Sequence, residues 1–190
     1  MAETVTDKRT AILDATLRLI STNGFHGTAM SKVAKEAGVS AGIIYHYFDS
    51  KDELMDELYI EVKRNFGTSL ADSFESDQPL RTQIHQMLAT MIRYYIRRPL
   101  ESAFLEQYSR SPYHRPEIEL ETAQYYVPLV ETFQRAKEEM IIKDLPEPVV
   151  LAFTLDVATS LAQRHATGFL DLTDSLIEEV IEASWEAIRQ

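Results

Sequence analysis

Cysteine is absent from all 190 residues, so disulfides and thiolate chemistry are excluded outright. No apolar run approaches the roughly 20 residues that a bilayer-spanning helix needs, and no membrane partner is expected. The N-terminal stretch MAETVTDKRT is polar and lacks the apolar core of a signal peptide, which makes the cytoplasm the expected compartment. An excess of basic residues is missing too. The net charge is −11; residues 1–66 hold 8 Lys+Arg against 10 Asp+Glu, net −2, and residues 67–190 hold 11 against 20, net −9. Such a chain cannot coat nucleic acid by charge alone, and any binding there must rely on a few placed contacts.

Catalytic patterns are also lacking. The five histidines, His26, His46, His85, His114 and His165, are scattered, and none has Glu three residues before it as di-iron bundles require. HExxH, GxSxG and phosphate-cradling glycine loops do not occur. The sequence therefore predicts no enzyme, no catalytic residue, no metal site and no cofactor.

The informative stretch is TAMSKVAKEAGVSAGIIYHY, Thr28 to Tyr47, which predicts two short helices joined by a tight turn. Thr28 is the expected N-cap of the first, and Val33, Ala34 and Ala37 recur at helical spacing on one buried stripe. Gly38 stands where a helix ends in a left-handed residue, and Val39 is an apolar pin inside the turn. Ser40 is the expected cap of the second helix, where Ile43 and Ile44 supply buried contacts. A helix, a short turn containing Gly and a second helix form the layout of a DNA-reading helix-turn-helix.

Ser40, Ala41 and Gly42 leave the start of that second helix almost bare, so its backbone can come close to another surface. Recognition helices reach base edges with that end, and free amides there favour phosphate. Tyr45, His46 and Tyr47 can donate to phosphate oxygens or pack on a thymine methyl. Ser50 caps the next helix, and Lys51 at its start suits a phosphate. Thr28, Ser40, Ala41, Gly42, Tyr45, His46, Tyr47 and Lys51 are thus the candidate DNA-binding residues. A helical hairpin used only for packing is the alternative.

Gly24 to Leu58 resembles the N-terminal domain of TetR/AcrR-type bacterial transcriptional regulators. The resemblance rests on Gly24, Phe25, Thr28, Val33, Ala34, Ala37, Gly38, Val39, Ser40, Gly42, Tyr45, Phe48, Lys51 and Leu54. Ile44 stands where that family most often has Leu, and Tyr47 where it most often has His. The resemblance implies an all-α fold of about nine helices. A three-helix DNA-binding domain with the helix-turn-helix, residues 1–50, precedes a C-terminal helical domain for ligand binding and dimerisation, residues 51–190. The helix over 50–74 connects the two, and ligand binding moves the reading head through it. It further implies a homodimer joined through the last two helices, a palindromic double-stranded DNA operator and a small-molecule effector.

Elsewhere, periodicity predicts a first helix over 7–22 that stops at Gly24, with Phe25 turned inward. Lys8 and Arg9 near its start are read as solvated charge or as contacts to the DNA backbone. The helix from Ser50 carries Leu54, Leu58, Val62, Phe66 and Leu70 near i+4 spacing, with a bend expected at Gly67. Pro79 opens a helix that ends at Arg97, Arg98 and Pro99; a shorter one covers 100–109. A long helix over 117–142 should bend or split at Pro128. The helix over 146–167 is apolar around most of its circumference, and the last, from Thr173, is sharply amphipathic.

The middle helices are rich in large adaptable side chains that tolerate varied guests. Met87, Met91, Tyr95, Phe104, Tyr108, Tyr125, Tyr126, Phe133 and Phe153, with His85 as a polar group, are candidates for a lipophilic effector pocket. Ordinary core packing is the alternative for each. Glu106, Gln107, Asp156 and His165 are further polar groups that could orient a guest. Leu151, Leu155, Ala158, Ala162, Ile177, Val180, Ile181, Trp185 and Ile188 are the candidate dimer contacts. The expected function is a ligand-responsive repressor released from its operator by a small lipophilic effector. An architectural DNA binder without an effector, and a helical carrier that keeps the hairpin, are the two alternatives.

Overall fold

The apolar periodicity becomes eleven α-helices and one 3-10 turn in the computed structural model, which describes residues 5–190 and the side chains from Lys8 onward. Residues 1–4 of the polar N-terminal stretch lie outside the described residues. The helices are α1 (Val5–Gly27), α2 (Met30–Ala37), α3 (Ala41–Tyr47), α4 (Lys51–Asp72), α5 (Leu80–Arg97) and α6 (Pro99–Ser109), followed by α7 (Pro116–Thr122). After the 3-10 turn (Ala123–Tyr126) come α8 (Val127–Glu138), α9 (Glu147–Phe153), α10 (Leu155–Ala166) and α11 (Asp174–Ile188). Among the described residues there is no strand, only an isolated antiparallel bridge between Ile142 and Arg189. The expected nine helices reappear when α7, the 3-10 turn and α8 are taken as one interrupted helix and α9 with α10 as another.

Both interruptions have local causes. Pro128 falls in the first turn of α8, where its missing N–H costs nothing, so the expected long helix splits just before it. Thr154 (φ −124, ψ −83) separates α9 from α10. Its buried hydroxyl donates to the Val150 carbonyl at 2.7 Å and takes over an acceptor that the broken ladder leaves open.

Packing divides the chain into two units. The first runs up to Lys63 and adds Leu100–Glu121; the second is Arg64–Pro99 with Thr122–Gln190. The sequence boundary at residue 50 followed the reading motif, whereas packing cuts α4 between Lys63 and Arg64. It also gives α6 and α7 to the first unit, because Phe104 and Tyr108 complete the core beneath α1, α2 and α3.

In the first unit α1 breaks at Gly24 (φ 66, ψ 176), a conformation open to glycine. Phe25 then points inward, with ring centroids 5.2 Å from Tyr113, 6.0 Å from Phe104 and 6.4 Å from Tyr108. Tyr59 of α4 stacks on Tyr108 at 4.2 Å and 17°. Charge lines this aromatic core. Arg115 reaches Asp56 at 2.9 Å and Asp52 at 3.3 Å, while the Tyr108 hydroxyl donates to Asp56 at 3.4 Å. Burial raises the Asp56 carboxyl above its usual value, and Arg115 opposes that shift. Burial also lowers the Lys63 ammonium to about 8, with Glu119 opposing; the group lies 5.6 Å over the Tyr59 ring.

In the second unit α5 is the central helix and buries Ile84, Met87, Leu88, Met91 and Tyr95 among others. Phe66 stacks on Tyr95 at 5.2 Å and meets Tyr126 at 5.6 Å. Gln83 is fully buried and fully used: its amide donates to the Ser76 and Gln78 carbonyls at 3.1 and 2.6 Å, and its oxygen accepts from Thr132 at 3.3 Å. Gly67 does not bend α4. It makes room instead, because a Cβ there would lie 2.6 Å from Tyr125 Cβ and 2.7 Å from the Tyr125 carbonyl oxygen.

Two consequences can be measured. Gly67→Ala should destabilise the protein by about 2 kcal/mol through overpacking against Tyr125, despite alanine's better helix propensity; a melting temperature at or above that of the parent would refute the close approach. Lys63 sits at about 8 in the fold against 10.5 when exposed, so between those values the unfolded chain holds more protons. Stability should therefore rise as pH climbs from about 8 toward 10. Above that, Tyr108 acts the other way, since burial raises its hydroxyl above the usual 10.0. In urea titrations Lys63→Met should be more stable near neutral pH and lose the rise; a rise that persists in this variant argues against the assignment.

Candidate nucleic-acid interface

The turn between α2 and α3 is fixed by hydrogen bonds that only a left-handed residue permits. Gly38 (φ 67, ψ 28) donates to the Lys35 carbonyl at 3.3 Å, and Val39 donates to the Ala34 carbonyl at 2.9 Å. This pair is a Schellman closure, as Gly38 led the sequence reading to expect. From there α3 is held by its inner side alone: Ile44 and Phe48 are buried, with Ile43 and Tyr47 half-buried.

The outer side of α3 is bare. Ser40, Ala41, Gly42, Tyr45 and His46 are all exposed, Tyr45 at 54%. Ser40 holds the N-cap position, but its hydroxyl makes no capping bond. Its carbonyl accepts from Ile43 and Ile44 at 3.0 and 3.4 Å. The fold does not demand glycine at 42, where an added Cβ would find only Ser40 Oγ, at 3.9 Å. Tyr47 packs edge-on to His46 at 5.2 Å.

The remaining candidates lie deeper. Thr28 is not the N-cap of α2; Ala29 takes that position (φ −81, ψ 149) without a side-chain bond. Thr28 is 1% exposed, and its hydroxyl donates to the Gly24 carbonyl at 2.8 Å. The break at Gly24 leaves that acceptor free, so Thr28 closes the α1 reversal. Lys51 is half-buried and donates to the Phe25 carbonyl at 2.6 Å, with its ammonium 5.6 Å over the Tyr113 ring. It stands at the start of α4, as expected, but one of its three protons is spent inside the protein. Ser50 caps α4 by accepting from the Glu53 amide at 3.1 Å, and Glu53 reaches back to the Asp49 amide.

Arg9 is one-third exposed and is engaged by acids of α4: it pairs with Glu57 and, at 3.8 Å, with Glu61, and lies 5.8 Å over the Phe48 ring. Lys8 is different. It lines a small recess of about 220 Å³ with Ala37, Gly38, Val39 and Ser40, which puts a cation beside the start of α3. Its distance from Ser40 in sequence hid this from periodicity.

The expected effector residues fall in both units. Phe104 and Tyr108 are fully buried core of the first unit. Met87, Met91 and Tyr95 are buried in the second around α5, Tyr125 and Tyr126 are half-buried near Phe66 and Gly67, and Phe153 is exposed. His85 lies 5.6 Å from the Trp185 ring and 3.8 Å from Glu182, and burial lowers its pKa. Phe133 lines an apolar recess of about 100 Å³, formed with Leu129, Ile142, Leu145, Val150 and Leu151.

The candidate dimer contacts divide by face. Ala158, Ala162, Ile177, Ile181, Trp185 and Ile188 are buried within one copy and cannot also meet a second. Leu151, Leu155 and Val180 are half-buried. The apolar side chains that remain outward are their neighbours: Phe153, Val157, Leu161 and Phe169 near α10, and Leu176, Val180, Ala183 and Ala187 as an i, i+4, i+7, i+11 stripe on α11. Val180 belongs both to the expected contacts and to this outward stripe. Among the described residues no three His, Asp or Glu side chains gather to hold a metal, and no helix is long and apolar enough to cross a membrane.

Comparison with known proteins agrees with this geometry. Residues 12–58 match the family described as bacterial regulatory proteins, tetR family, and residues 79–189 match the tetracyclin repressor-like C-terminal domain. An uncharacterised HTH-type transcriptional regulator of Haemophilus influenzae is 30% identical over 191 residues, covering 100% of both chains. A TetR family transcription regulator from Marinobacter aquaeolei superposes with a TM-score of 0.93 at 28% identity, covering 97% of each chain. A TetR family protein from Vibrio parahaemolyticus does so at 0.82 and 31%, covering 96% of this chain and 99% of the other. With a reading motif at one end and a matching helical domain over most of the remainder, the chain belongs to the TetR family of helix-turn-helix, DNA-binding transcriptional regulators, and is not an enzyme.

Proposed function

We propose that this regulator is a homodimeric repressor that sets the α3 helices of its two copies into successive major grooves of a palindromic operator, and that a small lipophilic effector releases it. The observation that carries the reading is the outward start of α3, where Ser40, Ala41 and Gly42 are exposed and glycine occupies a site the fold would let another residue fill. A surface stripped in this way suits close approach to base edges. Ala41, Gly42 and His46 read bases in this account, Tyr45 and Tyr47 hold phosphate, and Lys8 and the unspent protons of Lys51 add charge. Thr28 serves from inside by fixing the start of α2. The cytoplasm, where the operator resides, is the working compartment.

Dimerisation through the outward stripes of α10 and α11 is supported by their apolar content, because such faces on a monomer would stay wet. The recess around Phe133 supports an apolar guest, and release requires that the guest favour the conformation with the wrong spacing. The close packing of Met87, Met91 and Tyr95 supports a second reading, a regulator with no effector. Challenging the protein–operator complex with a panel of lipophilic small molecules separates the two, since only the first predicts dissociation.

On DNA selected from a random pool by the parent protein, Tyr45→Ala should weaken binding by about tenfold, and Gly42→Glu should abolish it by placing bulk and charge at the groove. Both variants should remain dimers of parental stability. Unchanged affinity in Gly42→Glu would overturn the assignment of α3. Separately, Val157→Glu with Leu161→Glu should yield monomers in sedimentation velocity. A dimer that survives both substitutions places the interface elsewhere.

A further inference from the structure

The second unit contains a cleft that gathers three arginines in an acidic chain. It has a volume of about 650 Å³, opens between the later turns of α4 and α5, and is lined by Arg93, Arg97 and Arg98. Asp72 is the one carboxylate among its lining residues, and two more, Glu178 and Asp174, reach Arg93 from outside the lining. Opposite the arginines stand Asn65, Thr68 and Ser69 of α4, and Ser73 and Thr90 join by a hydroxyl–hydroxyl bond of 2.9 Å. Guanidinium forks facing hydroxyl and amide donors form a phosphate-binding chemistry, and a concave wall concentrates their field.

Arg97 and Arg93 are not used up by the fold. Arg97 is exposed and forms no ion pair or hydrogen bond among the described residues. Arg93 pairs with Glu178 at 3.2 Å and Asp174 at 3.6 Å, both exposed carboxylates whose hold in water is weak. Arg98 lies with its guanidinium 5.5 Å over the Tyr94 ring, which orients the fork. A favourable dipole at the end of α5 accounts for cations in its last turn, but not for a hydroxyl-lined cleft of nucleotide size facing them.

We propose that this cleft binds a small phosphorylated ligand, with Arg93, Arg97 and Arg98 holding its phosphate groups. The site is distinct from the apolar recess around Phe133, and its test does not depend on operator binding. Full-length protein is titrated calorimetrically with inorganic pyrophosphate and with ADP, at ionic strength held constant with chloride. Both should bind, and Arg97→Glu should weaken binding by about tenfold or more, the weight of one charge-assisted hydrogen bond. Arg135→Glu makes the same charge change outside the cleft, on α8, and should leave binding unaltered. Tighter binding of ADP than of pyrophosphate shows that the nucleoside adds contacts of its own; equal binding assigns the site to phosphate alone. Absence of binding by both probes, or an equal loss in Arg135→Glu, overturns the proposal.

Discussion

When α1 stops at Gly24 with φ 66, a carbonyl loses its helical partner and an aromatic ring is turned under the reading motif, and both results are put to use. Thr28 takes the Gly24 carbonyl, Lys51 takes the Phe25 carbonyl, and Phe25 meets Phe104, Tyr108 and Tyr113. One backbone reversal thereby joins α1, the start of α2, the start of α4 and the α6–α7 region of the first unit. Burial of a ring of this size contributes roughly 1.5–3 kcal/mol, and each satisfied carbonyl avoids a penalty of about 1–3 kcal/mol. The helix-turn-helix is held from below, through side chains that the outer surface does not display.

The second unit follows a related logic with different chemistry. Gln83, fully buried on α5, holds the loop before α5 through two carbonyls and reaches α8 through Thr132. Phe66 and its tyrosine neighbours fill the space between α4, α5 and the 3-10 turn, and Gly67 lets Tyr125 come close. Gln83 enters this core with its amide and its oxygen each given partners, as the cost of burial demands.

The sequence was most legible where backbone chemistry leaves little choice. Gly24 and Gly38 both adopt positive φ, Ser50 caps α4, and Pro128 divides the helix that carries it. Side-chain assignments were harder because periodicity identifies an apolar face without saying what covers it. Phe104 and Tyr108 carry the same signal as Met87 and Met91, yet belong to the other unit. On α11, Ile177, Ile181, Trp185 and Ile188 outweigh the smaller stripe of Leu176, Val180, Ala183 and Ala187, so hydrophobicity pointed to the face that is already occupied. Thr28 has the composition of a cap, but the free acceptor at Gly24, visible only in three dimensions, claims its hydroxyl.

The economy with which α3 is anchored has an evolutionary consequence. Its seven residues are secured by Ile44 within the helix and Phe48 just beyond it, while Ser40, Ala41, Gly42 and Tyr45 give almost nothing to folding. Positions that are idle in the stability of a protein can be exchanged without unfolding it. The outward side of this helix is thus free to drift toward new molecular addresses while the scaffold beneath it is inherited unchanged.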